Sequence, residues 1–164
     1  MPTVYTQPPG KIQLKKNNLI KTLSRLGKEW EISFEFKPEN YDRSGFTNIL
    51  HLSIGEDLTV VGDRIPAIFY HPDSGLHVAT AIGNDPNFTR DIKPAPPLGK
   101  WTSIVVSQLK YFSKTTFLVH VDGAATFTVE NPAPKEFSNV KVFAADPWWD
   151  TQPGSIRSLT IQTQ

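Results

Sequence analysis

The chain has 164 residues, 38% hydrophobic and 20% charged, with a formal net charge of +1 and no cysteine. That length and apolar content suit a folded domain with a core and exclude a disordered chain. No apolar run approaches the roughly 20 residues of a membrane-spanning helix; the missing cysteines remove disulfides, thiol catalysis and cysteine zinc sites, and the near-neutral balance excludes a general nucleic-acid binder. One asymmetry survives the averaging. Lys11, Lys15, Lys16, Lys21, Arg25 and Lys28 all precede the first acid, Glu29, leaving eleven bases against sixteen acids in the rest.

Met1-Pro2-Thr3-Val4 opens no signal peptide, and residues 1–10, ending in Pro8-Pro9-Gly10, read as a loose N-terminal segment. Asn18 to Leu26 has two readings. Leu19, Leu23, Leu26 and Trp30 have heptad-like spacing, which suits a short helix capped at Gly27; a strand turning at Gly27-Lys28 fits the β-rich surroundings better. The next segment is clear. Trp30, Ile32, Phe34 and Phe36 alternate with Glu31, Ser33, Glu35 and Lys37 until Pro38, a strand with one apolar and one charged face. On this reading the early bases decorate the preceding strand, and Lys21 or Arg25 pairs across to Glu29, Glu31 or Glu35.

Further strands follow at Leu50–Ile54, Ile65–Tyr70, Leu76–Ile82, Trp101–Val106, Phe117–Val121, Val140–Ala145 and Ile156–Ile161. Turn clusters separate them: Asp42 to Gly45, Pro72 to Gly75, Pro94 to Gly99, Asn131 to Pro134 and Pro153-Gly154. Asp122-Gly123 predicts a tight hairpin joining Phe117–Val121 to Ala124–Val129. Ten or more strands must bury their apolar faces, which points to an all-β, antiparallel two-sheet sandwich of jelly-roll type, with a Greek-key barrel as the alternative. No composition break divides residues 1–164, so one domain is expected.

Several loops bear candidate chemistry. In Asp146-Pro147-Trp148-Trp149-Asp150, two adjacent tryptophans cannot both point inward from an extended segment. An exposed ring flanked by acids suits sugar stacking or a protein contact; the structural alternative is that both rings plug the end of the sandwich. Glu56, Asp57 and Asp63, in the loop Gly55 to Arg64, are oxygen donors for a possible Ca²⁺, although their spacing matches no EF-hand; solvated ion pairing with Arg64 is the other reading. Arg64 and the polar tip Asn84-Asp85-Pro86-Asn87 complete the candidate ligand-binding set. Asn87-Phe88-Thr89 is an N-glycosylation sequon. His51 and His120 sit between core-facing neighbours and so belong to outer sheet faces.

The strand Glu29-Trp30-Glu31-Ile32-Ser33-Phe34-Glu35-Phe36-Lys37-Pro38, the segments Asn48 to Leu52 and Leu76 to Thr80, the Phe117 to Gly123 strand-and-turn, and the closing Val140 to Trp149 and Ile156 to Ile161 together resemble the concanavalin A-like lectin/glucanase superfamily near its laminin G-like members. The resemblance covers about 150 residues, as a pattern without an invariant signature. It implies a jelly roll, most often a noncatalytic binder of glycans or of extracellular proteins, with Ca²⁺ in loops of some members. The hydrolases of the superfamily set alternating carboxylates on one strand. Glu29-x-Glu31-x-x-x-Glu35 lacks their central Asp, and Glu31 to Glu35 spans about 13 Å at strand rise, too far for a glycosidase pair. The expectation is therefore a noncatalytic, extracellular, lectin-like glycan-binding module without a required cofactor. Its alternatives are a protein–protein adhesion or assembly domain, in which oligomers are possible, and a divergent polysaccharide hydrolase or lyase.

Overall fold

The computed structural model describes all residues from Met1 to Gln164. It contains thirteen strands: β1 Thr3–Thr6, β2 Lys11–Gln13, β3 Leu19–Leu26, β4 Trp30–Pro38, β5 Thr47–Ser53, β6 Ala67–His71, β7 Gly75–Ile82, β8 Asp85–Ile92, β9 Thr102–Tyr111, β10 Lys114–Val121, β11 Ala124–Glu130, β12 Phe137–Phe143 and β13 Gly154–Thr163. One sheet runs β1-β13-β4-β9-β10-β11, with β2 beside β13, and the other β3-β12-β5-β6-β7-β8. All strand pairs are antiparallel. This is the expected all-β jelly-roll sandwich.

The alternation in β4 does what it promised. Trp30, Ile32, Phe34 and Phe36 are buried in the core between the sheets, and Glu31, Ser33, Glu35 and Lys37 lie half-buried on the other face. Asp122 (φ +50) and Gly123 (φ +81) both take positive φ, the type I′ pattern, and Val121 sits opposite Ala124.

Of the two readings of Asn18 to Leu26 the favoured strand forms, over Leu19–Leu26, with Leu23 and Leu26 in the core and Leu19 exposed. Two expectations change. Within residues 1–10, Thr3–Thr6 pairs with β13, and the Gln7 amide donates to the Leu159 carbonyl at 2.8 Å, so this segment is tied down rather than loose. The second change concerns partners. β3 and β4 lie in different sheets, so the predicted pairing of Lys21 or Arg25 with Glu29, Glu31 or Glu35 does not form. Arg25 instead meets Glu136 at 2.8 Å, and Glu35 meets Arg157.

The six-stranded sheet is buried on both faces near its middle. Ile68 and Tyr70 of β6 join the main core. Ala67 and Phe69 point the other way, forming a second small cluster with Ala79 that Phe46 and Trp149 cover. Burial on both faces explains why this stretch reads as a continuous apolar run.

Candidate functional site

The loop after β12 builds the site. The chain leaves the sheet at Phe143 and returns beside β5, where Asn48 donates its amide to the Asp150 carbonyl at 2.8 Å and accepts from the Gln152 amide at 3.0 Å. Between these anchors Asp146 to Asp150 arches over the outer face of the six-stranded sheet. The Asn48 side-chain oxygen accepts the Asp146 amide at 2.9 Å, which fixes where the arch begins.

Asp146 is fully buried. Its Oδ1 accepts the amides of both Trp148 and Trp149 at 2.9 Å, and its Oδ2 lies 2.8 Å from His51 Nδ1. One carboxylate thus caps the turn and ties it to β5. His51, also fully buried, places Nε2 2.6 Å from the Asp63 carbonyl oxygen. A carbonyl only accepts, so Nε2 carries a proton, while Nδ1 shares one with Asp146. Neither nitrogen keeps a free lone pair. His51 does face outward from the sheet, but beneath the tryptophan loop.

The second anchor comes from the β5–β6 loop. Gly62 sits at φ +110, a conformation side chains rarely adopt, and delivers Asp63 and Arg64. Asp63 accepts the amides of Glu56, Thr59 and Val60 at 3.3, 2.7 and 2.9 Å, closing the loop on itself. Arg64 lies over Phe69 of the small outer cluster. Its Nε and Nη2 reach Asp57 at 3.1–3.3 Å, and its Nη1 donates to Asn87 Oδ1 at 3.0 Å. The guanidinium carbon sits 5.2 Å from the Phe69 ring centre and 5.8 Å from that of Trp149. Trp149 donates its indole N–H to Asp57 Oδ2 at 3.0 Å and packs edge-on to Phe69. Trp148 packs edge-on to His51 and Phe143. Both tryptophans are half-buried: one face of the arch is anchored, the other remains wet.

The outer face continues beside Trp149 as a row of half-buried rings. Phe46 stacks on His77 at 4.2 Å, and His71 lies between Phe46 and Tyr41 at 5.8 and 5.2 Å. Partial burial, then the Asp73 carboxylate, push the Tyr41 phenol above its ordinary value. None of the molecule's clefts is lined by either tryptophan of the arch, so the site is an open platform rather than a pocket.

The structure brings Arg64, Asp57, Asp146, Trp148 and Trp149 into one network and leaves other candidates outside it. Asp150 is exposed, with Arg43 at 3.5 Å. Asn84 accepts from Lys135 Nζ at 3.0 Å, and Asp85 caps the Asn87 amide at 2.9 Å; the supposed tip from Asp85 onward is strand β8. Arg64 is almost wholly enclosed, so it supports Trp149 instead of presenting a free cation. The calcium set does not fit either. Asp63 spends its oxygens on backbone amides and Asp57 on Arg64 and Trp149, while the acidic and imidazole groups that do converge within 4.8 Å are His51, Asp57 and Asp146. There Arg64 already binds the Asp57 carboxylate, Nδ1 of His51 is bonded to Asp146, and Nε2 of His51 is spent on the Asp63 carbonyl. Sequence reading missed the anchoring roles of His51, Asn48 and Asn87; only the place of His51 in an apolar run, between Leu50 and Leu52, hinted at one.

No protein-family model and no curated protein sequence matches the chain. Solved structures do. A native heptameric SAP-like pentraxin from Limulus polyphemus is similar with a TM-score of 0.60 at 14% identity, over 92% of this chain and 74% of the pentraxin. The CBM40 domain of Ruminococcus gnavus IT-sialidase, bound to α2,3 sialyllactose, gives 0.58 at 12% identity over 90% and 89%. The alginate lyase AlyC3 gives 0.52 at 11% identity over 93% and 69%. A sialyllactose-bound domain and an alginate lyase thus share this framework. With these likenesses and the two antiparallel sheets, the chain has the concanavalin A-like jelly-roll fold.

Proposed function

We propose that this chain is a noncatalytic, extracellular carbohydrate-binding module that stacks a sugar ring on the tryptophan arch. The observation that carries the reading is the anchoring of Trp148 and Trp149. Asp146 holds both amides and Asp57 holds the Trp149 indole, so two half-exposed rings are rigid before any ligand arrives. Pre-ordered aromatic area beside the exposed Asp150 carboxylate suits a pyranose, whose C–H face stacks and whose hydroxyls donate. The similarity to a sialyllactose-bound domain supports the same reading.

The noncatalytic part rests on the glutamates of the β4 region. Glu35 is committed to Arg157 through two 3.1 Å bonds, and Glu29 accepts the Lys110 amide and the Gln164 side chain. Only Glu31 of the three is without a side-chain partner, and a single carboxylate falls short of the pair that glycoside hydrolysis uses.

A glycan array followed by calorimetry tests the proposal. The parent chain binds a defined glycan set without added Ca²⁺, and Trp149→Ala weakens that binding at least about tenfold, the scale of an aromatic hot spot. An array that stays blank with and without Ca²⁺, or undiminished binding by Trp149→Ala, overturns it.

A further inference from the structure

The β9–β10 connection is the two-residue turn Phe112-Ser113, with Tyr111 paired to Lys114 across it. Phe112 has φ +58, and Ser113 does not share the positive φ. A two-residue hairpin whose first central residue alone is left-handed follows the type II′ pattern, in which that position belongs to glycine. A phenylalanine there is strained, and strain of this kind is kept where it serves a purpose. The ring has no compensating contact: Phe112 is fully exposed, and Tyr111 is 49% exposed.

The surroundings carry an excess of positive charge. Lys28, Lys110 and Lys114 line one cleft at this end of the sandwich, together with Glu29 and Glu130. Glu130 lies 3.8 Å from Lys114, and Glu29 serves a backbone amide. Lys28 and Lys110 make no ion pair. The tip is therefore a protruding pair of aromatic rings with three ammonium groups behind it, two of them outside any ion pair.

We propose that this tip is an interfacial anchor for an anionic lipid surface. Phe112 and Tyr111 enter the headgroup layer, where an amphipathic ring such as tyrosine is at home, and Lys28, Lys110 and Lys114 face lipid phosphates. A lipid surface fits better than a protein partner. Protein interfaces are depleted in lysine, whereas aromatic tips backed by lysine match a fluid, negatively charged layer. The tip also leaves the tryptophan arch unobstructed. It adjoins the start of β4, near where Leu26 pairs with Phe137, while the arch departs from the opposite end of β12 at Phe143. The inference stands apart from the sugar-binding proposal.

Co-sedimentation with phosphatidylcholine vesicles, with and without phosphatidylserine, tests it. The parent chain pellets with phosphatidylserine-containing vesicles at low salt, and added salt releases it. Phe112→Gly lowers that partitioning at least about tenfold by removing the inserted ring. The same variant unfolds at or above the parent's temperature, because glycine relieves the left-handed position, so the lost binding is not lost folding. Lys110→Glu lowers partitioning by about tenfold through charge alone. A parent chain that ignores phosphatidylserine vesicles overturns the proposal, as does a Phe112→Gly variant that pellets equally well. Failure to bind vesicles combined with self-association that Phe112→Gly abolishes assigns the tip to a protein contact, which also overturns it.

Discussion

His51–Asp146 and Arg25–Glu136 each set a side-chain nitrogen against a carboxylate at the same separation, 2.8 Å. The first pair is completely buried under the tryptophan arch; the second stands on the β3–β12 edge with each side chain about half exposed. Equal distance does not make equal consequence. In water a pair gains little because each partner gives up good solvation and long side chains lose freedom. In the interior, removing one partner strands the other without solvent, and that loss is large. The buried pair also carries two backbone amides of the arch, so its stability is tied to the position of Trp148 and Trp149. Arg64–Asp57 and Arg157–Glu35 lie between the extremes, with side chains 6% and 27% exposed in the first pair and 41% and 34% in the second.

The sharpest way to break the comparison is at its buried end. Asp146→Ala leaves Nδ1 of the buried His51 unpaired and frees the two tryptophan amides, with an expected cost of about 3–5 kcal/mol in urea unfolding. A cost near that of a surface pair, under about 1 kcal/mol, would refute the argument. Arg64→Met is the next step. It keeps apolar bulk over Phe69 but leaves Asp57 half-satisfied, for about 1–3 kcal/mol. It also removes the support beneath Trp149, so sugar affinity falls with stability; unchanged affinity on a sound fold would separate the two.

How much of this was readable from the sequence depends on how local the cause is. The face of β4 and the Asp122-Gly123 turn follow from neighbours in the chain, and they are where expected. β8 was not visible. Asp85 to Ile92 is an edge strand whose Asp85, Pro86, Arg90 and Asp91 give it a loop's composition, yet such residues are how an edge resists pairing with other chains. The wrong partners for Lys21 and Arg25 have a similar origin. Sequential strands often pair, but here the connection after Gly27 crosses from one sheet to the other. Around the arch, the tryptophans, Arg64 and Asp146 each stood out by type. Their union depends on contacts such as Asp146 to His51, 95 residues apart, and no local pattern encodes that.

Toward the exposed end the effects shrink. Glu35→Gln should cost at most about 1 kcal/mol, since both partners of its pair with Arg157 are more than a third in solvent. It should leave sugar binding unchanged, because that pair lies on the other sheet; loss of binding would move the site away from the arch.

Arg25 and Glu136 give the smallest effect, and one with a definite sign. The hydrogen bond from Arg25, aided by its charge and that of Lys28, holds the Glu136 carboxyl below its ordinary value, and the same bond raises the Arg25 guanidinium above its own. A carboxyl depressed in the folded state binds its proton less readily there than in the unfolded chain. The stabilisation it gives is therefore complete above the unfolded carboxyl value and is lost as pH falls through the folded one. Because the pair is exposed, the trend in unfolding midpoint is shallow, and the direct measurement is the titration of the Glu136 side chain by NMR. Arg25→Gln returns that titration upward toward the ordinary glutamate value, and added salt moves the parent's titration the same way. A Glu136 titration that ignores both changes would mean the pair is not formed in solution, leaving only the enclosed end of the series to carry the relation between burial and consequence.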